Sequence, residues 1–283
     1  MDIIKKYNIK AKKALWQNFL VDENVLDEIS NTLYIEWKNI VEVWPWYGAL
    51  TEKILIKKPQ SLNLVELDKE MIDILETRKK DWDFYLDGID FNINNIDVLK
   101  YEWPSALNPL LIKDEEYRYS LIANIPYYIT SPILRHFLYD VEKKPENMLI
   151  LMQKDVWDKI LLAEKNKKPK SSVLSLFIYK KCYVSEVLTV ANTCFIPAPK
   201  VESSVLLFET HDLYNNIDDN KFLEFIKAWF REPRKMLIKN LLNSGYEKDY
   251  IIQIFDKLSI EKNIRWEALD ITTWCQLAVE FNN

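Results

Sequence analysis

From Asn39 onward two patterns of hydrophobic and polar positions alternate along the chain. Short apolar runs rich in β-branched residues, NIVEV, LNLVELD, FNINNID, SLIANI and MLILMQ, predict strands. Between them the stretches 49–58 and 69–80 carry apolar residues at helical spacing, and further helices are expected after Ser131 and after MLILMQ. Five strands joined in this way make βαβ units, so the expected class is α/β with a doubly wound, Rossmann-like sheet. YVSEVLTVA and VESSVLLFE, separated by a Pro-containing loop, read as an antiparallel pair at one sheet edge. Ahead of the first strand, Asn24 to Leu33 reads as a helix.

The rhythm changes after His211, where DLYNNIDDN is a polar linker and the remainder is helical. Helices are expected over 221–230, 234–243, 247–258 and 267–281, with Gly245 as a stop between two of them. The predicted organisation is therefore a domain over 1–211 with a basic N-terminal arm, and a small helical domain over 212–283.

Composition narrows the function classes. With 283 residues, 48% of them hydrophobic, the chain can bury a sizeable core. No apolar run approaches the roughly 20 residues needed to cross a bilayer, which argues against membrane spanning and export. Three widely spaced cysteines, Cys182, Cys194 and Cys275, fit a reduced cytoplasmic chain, and two histidines exclude a His-rich metal site. The formal charge of −5 hides three basic runs: Lys5 to Lys13, Lys165 to Lys170, and Arg231, Arg234, Lys235 and Lys239. Taken singly each run suits a solvated face, whereas three together suit a surface that tracks phosphates.

Ligands of open α/β sheets gather at the C-terminal strand ends. Those ends deliver WPWYG from Trp44, then Glu66 and Asp68, then Asp97, then Asn124, Ile125, Pro126 and Tyr127. Glu66 follows Trp44 at close to the spacing of about 20 residues at which an acid meets ribose hydroxyls. Loop, acid, acid and Asn-x-Pro-Tyr in this order is the layout of an S-adenosylmethionine site completed by an amino-group methylation site. The amine of adenine is a poor nucleophile because its lone pair is delocalised into the ring, so it needs acceptors that favour a pyramidal nitrogen. Asn124 supplies one acceptor. The carbonyl of Ile125, held extended by Pro126, supplies a second, and Tyr127 can stack on a flipped base.

The segments KKALWQNFLVDENVLDEI, VEVWPWYGALT, LVELD, LIANIPYYITSPIL, FIPAPKVESSVL and FREPRKMLIKNL closely resemble the ribosomal RNA adenine N6-dimethyltransferases, the bacterial small-subunit enzymes above all. The resemblance implies a Rossmann-like S-adenosylmethionine-dependent methyltransferase sheet with a small C-terminal helical domain. It also implies a monomer acting on two adjacent adenines near the 3′ end of small-subunit rRNA in the pre-30S particle. On that basis Asn18 and Leu20 close over the cofactor, Glu66 binds its ribose, Asp97 partners its adenine, and Asn124 touches both cofactor and target amine. Phe195 would be a second stacking face for the adenine, and Arg231, Arg234 and Lys235 would hold the RNA.

The departure lies in the loop. Where the family pattern is VEVGPGYG and KKALGQNFL, this chain has Trp44, Trp46 and Trp16. Glycine lets the backbone approach the cofactor closely, and an indole of up to about 250 Å² takes up that space. At the average usage of near 7% the chain would hold about 20 glycines, and it holds 3 beside 10 Trp. Trp37 and Trp229 also stand where a small residue would be unsurprising, whereas Trp274 suits its helix. The simplest account is a message in which UGA, written as Trp, is read as glycine. Genuine Trp at 44 and 46 would instead suit a non-catalytic rRNA-binding assembly factor. A large-subunit rRNA adenine methyltransferase is the enzymatic alternative.

Overall fold

The computed structural model describes residues 2–11, 17–100, 116–126, 129–160, 172–230, 232 and 235–282. They form two compact units, Met1–Trp157 with Val184–Thr210, and Asp158–Tyr183 with His211–Asn283. The second passage between units falls between Thr210 and His211, and residues 158–183 belong to the second unit, where Leu176 enters the core with Phe222 and Trp229.

The first unit opens with helix α1 (Asp2–Lys6) and the short strand β1 (Phe19–Leu20). Helix α2 (Glu23–Thr32) starts where the Asp22 side chain accepts from the Val25 amide at 3.1 Å, a standard N-cap. Then come β2 (Asn39–Val43), α3 (Ala49–Ile56), β3 (Ser61–Glu66), α4 (Lys69–Lys80), β4 (Asp90–Asn95) and β5 (Tyr119–Asn124). Helix α5 (Thr130–Arg135) runs into a π-turn over His136–Asp140. Strand β6 (Asn147–Gln153), helix α6 (Lys154–Ile160) and helix α7 (Val173–Tyr179) follow, then β7 (Cys182–Val190), β8 (Phe195–Ile196) and β9 (Ser203–Thr210).

Seven strands make one sheet in the order β4-β3-β2-β5-β6-β9-β7. The five strands expected to be parallel are parallel, and β9 runs antiparallel to β6 with β7 outside it at the edge. All six residues of β3 are buried, as a strand covered on both faces requires. The direction of winding reverses between β2 and β5. In the register Val43 faces Val65 on one side and Ala123 on the other, so residues 44, 66 and 124 emerge side by side at the crevice where such sheets bind ligands.

The second unit packs α7 with α8 (Asp219–Trp229), α9 (Leu237–Asn243), α10 (Lys248–Lys257) and α11 (Ile271–Asn282). Its core is aromatic: Trp229 lies 3.9 Å from Phe225, 4.9 Å from Phe281 and 5.5 Å from Trp274, measured between ring centroids. Among the described residues no helix is long and apolar enough to cross a membrane.

Candidate active site

A pocket of about 390 Å³ opens at the C-terminal ends of β2, β3 and β4, a size suited to a small-molecule ligand. Trp44, Trp46, Glu66, Asp97 and Pro126 line it, with Gln17. Glu66 is only 2% exposed. Its Oε1 accepts from the amides of Leu67 and Asp68, both at 2.8 Å, while Oε2 is buried without a hydrogen-bond partner. Burial pushes this carboxyl up to about 7, although the amides of Asp68, Leu67 and Trp46 favour the charged form. A buried acceptor left unpaired on a residue that lines a pocket suits a ligand that donates hydrogen bonds.

Asp97 sits at the end of β4, with Oδ1 accepting from the Leu99 amide at 3.2 Å and Oδ2 3.1 Å from Lys100 Nζ. Glu42, on β2 beneath the loop, is fully buried and accepts from Thr51 Oγ1 at 2.7 Å; burial pushes it up to about 8. Asp68 and Asp97 add acidic groups to the pocket lining, with Lys69 beside them. Among the described residues no group of three or more His, Cys, Asp or Glu is arranged to hold a metal ion.

The loop itself is left-handed at alternate positions: Trp44 at φ 57°, Trp46 at 55° and Gly48 at 85°. Trp46 is buried, packs edge-on against Phe19 and donates Nε1 to the Asn124 carbonyl at 2.9 Å. Asn124 thus ends β5 against the loop, and together they line a second, much smaller cavity of about 10 Å³ with Glu42. Ile125 is buried, and the Pro126 carbonyl closes a turn by accepting from the Ile129 amide at 3.2 Å.

The structure brings two distant motifs together. Strand β1 of QNFL pairs antiparallel with β8 of FIPAP, setting Phe19 opposite Ile196 and Leu20 opposite Phe195. The Leu20 carbonyl accepts from Tyr47 Oη at 3.0 Å, which fixes this ladder to the loop. The residue of QNFL on the pocket wall is Gln17, whose Nε2 donates to Asp68 at 3.1 Å; neither Asn18 nor Leu20 lines the pocket, and Leu20 is turned into the core. Phe195, expected as a stacking face, is 4% exposed and packed in the core with Leu20 and Leu26. The ladder turns its ring inward, so in the structure it offers no open face.

Trp16, Tyr127, Arg231 and Arg234 lie outside the described residues, as do the Lys165 to Lys170 run and Lys12 and Lys13. Lys235 pairs with Glu232 three residues earlier, and Lys6 of the N-terminal run pairs with Asp83 at 2.8 Å. Those two charges are committed to carboxylates, so both basic faces are weaker than their residue counts imply.

The profile of Ribosomal RNA adenine dimethylase matches residues 8–283. The chain belongs to this family. It is 35% identical over 272 residues to Ribosomal RNA small subunit methyltransferase A of Mycoplasma mobile, covering 96% of this chain and 98% of that protein. The protein of the same name from Bacillus cytotoxicus is 34% identical over 285 residues, covering 98% and 93%. The fold is shared with a dimethyladenosine transferase from Plasmodium falciparum (TM-score 0.76, 21% identity, 93% and 97% covered). It is shared too with the 23S rRNA methyltransferase ErmE (TM-score 0.69, 19% identity, 94% and 100% covered). The dimethylase family uses S-adenosylmethionine. The orphaned Glu66 Oε2 and the pocket volume fit that cofactor, and the two indoles on the wall are the part of the site that narrows it.

Proposed function

We propose that the protein transfers methyl groups from S-adenosylmethionine to N6 of two adjacent adenines in small-subunit rRNA. The observation that carries this reading is the sheet register, which sets the orphaned acceptor of Glu66 and the end of β5 at Asn124 on either side of residue 44. A cofactor acceptor and an amine acceptor then share one crevice.

When bound, the cofactor supplies an electrophilic methyl group on a sulfonium. Glu66 takes the ribose hydroxyls, Asp97 takes the adenine, and Gln17 and Asp68 close the wall. The side-chain oxygen of Asn124 and the main-chain carbonyl of Ile125 accept the two N–H bonds of the target amine, which turns its lone pair out of the ring plane. No strong base is required, because the proton becomes acidic as the nitrogen is alkylated. Tyr127 provides the stacking face for the flipped base. Lys5 and Lys10 of the N-terminal arm and the face carrying Arg231, Arg234 and Lys235 contact RNA phosphates. The substrate is the pre-30S particle, the acting form a monomer, and the place of action the cytoplasm, where that particle is assembled.

The test uses small-subunit particles that lack the modification, a labelled methyl donor, and the protein with Trp and with glycine at 44 and 46. The expected product is N6,N6-dimethyladenosine at two neighbouring positions of the small-subunit RNA. Transfer to large-subunit RNA alone overturns the substrate. Tight particle binding without transfer by either form would favour the assembly-factor reading.

A further inference from the structure

Seven residues other than glycine hold a left-handed backbone among the described residues, and four of them are Trp: Trp37 at φ 60°, Trp44 at 57°, Trp46 at 55° and Trp82 at 62°. Trp supplies only 10 of the 283 residues, so this share does not come from abundance. Nor does it come from fitness, because in this region Cβ crowds the following carbonyl oxygen, and a bulky residue is a poor occupant. All three glycines are left-handed as well, at positions 48, 88 and 245. Trp and glycine occupy one conformational niche in this chain.

Each site has a local reason to want glycine. Helix α9 ends in a Schellman motif, with the Tyr246 amide on the Leu241 carbonyl at 3.2 Å, the Gly245 amide on Leu242 at 3.1 Å, and Gly245 as the left-handed residue. Helix α4 ends in the same motif, with the Asp83 amide on Arg78 at 3.0 Å and the Trp82 amide on Lys79 at 3.4 Å, and here the left-handed residue is Trp82. Its side chain is 89% exposed, so packing offsets nothing. Trp37, 68% exposed, is third in a turn closed by the Lys38 amide on the Ile35 carbonyl at 3.0 Å, and a left-handed third position favours glycine. In the pocket loop Trp44 and Trp46 repeat, at steps of two, the conformation of Gly48.

Asn8 and Ser259 hold the same place as Trp82 in the same motif, at the ends of α1 and α10, and Lys58 follows α3; their side chains are short or unbranched, whereas an indole is bulky and rigid. Trp229 and Trp274 are fully buried in helices and pack at tilted angles against aromatic neighbours. From this partition we infer that, in the organism that makes the protein, positions 37, 44, 46 and 82 are glycine, with UGA read as glycine at those codons. The inference stands apart from the proposed function, because Trp37 and Trp82 do not line the pocket. At 44 and 46 it bears on binding, since loss of two indoles widens the pocket they line.

Codon sequence and peptide mass of the protein isolated from its source decide the matter. UGA codons and glycine masses at all four positions are expected; UGG at any of them, or a Trp-containing peptide spanning residue 82, overturns the inference. The physical basis is tested on the recombinant chain made with Trp. Trp37→Gly and Trp82→Gly are each expected to raise Tm by about 2–4 °C, and Trp274→Gly, which empties a core position, to lower it. A fall in Tm on Trp82→Gly would remove the basis. None of these readouts depends on methyl transfer, so an inactive protein with four glycines counts against the function alone.

Discussion

Arg78 reaches from helix α4 to the main-chain carbonyl of Tyr47 and donates Nη1 to it at 2.8 Å. The same nitrogen donates to the Gly48 carbonyl at 2.9 Å, Nη2 lies 2.8 Å from Glu52, and the guanidinium rests over the Phe84 ring at 4.5 Å. A fully buried cation thus fixes the shape of the pocket loop from behind. Arg78→Ala takes the donor from the Tyr47 carbonyl, at a cost of about 1–3 kcal/mol, whereas the Gly48 carbonyl still accepts from the Glu52 amide at 3.2 Å. Arg78→Lys should recover only part of the loss, because an ammonium has no second nitrogen to hold Glu52 while it donates to the loop carbonyls. Urea unfolding of the three forms measures this, and equal midpoints would show that other contacts hold the loop.

Glu66 should make cofactor binding depend on pH. Its carboxyl in the free protein lies at about 7, above the ordinary carboxylate range, because it is buried. Stability from the protonated form is therefore full in acid and lost as pH rises through about 7, and a ligand donating to the carboxylate offsets that loss. Affinity for S-adenosylmethionine is expected to increase between about pH 6 and pH 8. Glu66→Gln should bind roughly 10- to 100-fold more weakly at the upper end and lose the dependence. Parallel calorimetric profiles for the two proteins would contradict the assignment.

Asn124→Ala removes one of two acceptors for the target amine. Single-turnover transfer to small-subunit RNA should fall about 10²- to 10³-fold, with cofactor affinity changed far less. A rate within a few fold of the parent would take Asn124 out of the reaction.

Phe195 distinguishes packing from stacking. As a core residue opposite Leu20, Phe195→Ala is expected to cost about 3–5 kcal/mol, and Phe195→Leu to restore most of the stability and the transfer rate. If Phe195→Leu folds normally yet transfers poorly, the ring must turn out to meet the substrate.

RNA affinity should follow the local clusters and not the net charge of −5. Each phosphate neutralised adds about 0.7–0.9 to the salt slope. Changing Arg231, Arg234 and Lys235 together to Ala should lower both the slope and the affinity for particles. Lys235 should contribute the least, since Glu232 already holds it. An unchanged slope would return these residues to an ordinary solvated face.

Most of the scaffold was legible because burial writes itself into composition. The stretch 69–80 is the observed α4, since Asp68 caps its start by accepting from the Glu70 amide at 3.0 Å and apolar residues recur at one face. The order of strand-end residues likewise located Glu66 and Asp97 at the pocket. What escaped depends on partners distant in sequence. Nothing near Lys6 signals that Asp81 and Asp83 will meet it, nothing in the amphipathic pattern of α4 marks Arg78 as fully buried, and Phe195 before a Pro reads alike whether its ring is packed or free. Gln17 was within reach, lying in the same QNFL motif as Asn18, but only the geometry shows which of them faces the pocket.

The β1–β8 ladder also sets a schedule. It joins Leu20 to Phe195, about 175 residues later in the chain. At about 5–20 residues per second, synthesis of that interval lasts roughly 10–35 s. During this time the segment carrying Gln17 has no strand to pair with, however early β2, β3 and β5 assemble. The nascent protein therefore holds an incomplete cleft until β8 has been made, and the wall that Gln17 provides is set only after Phe195 and Ile196 have joined the chain.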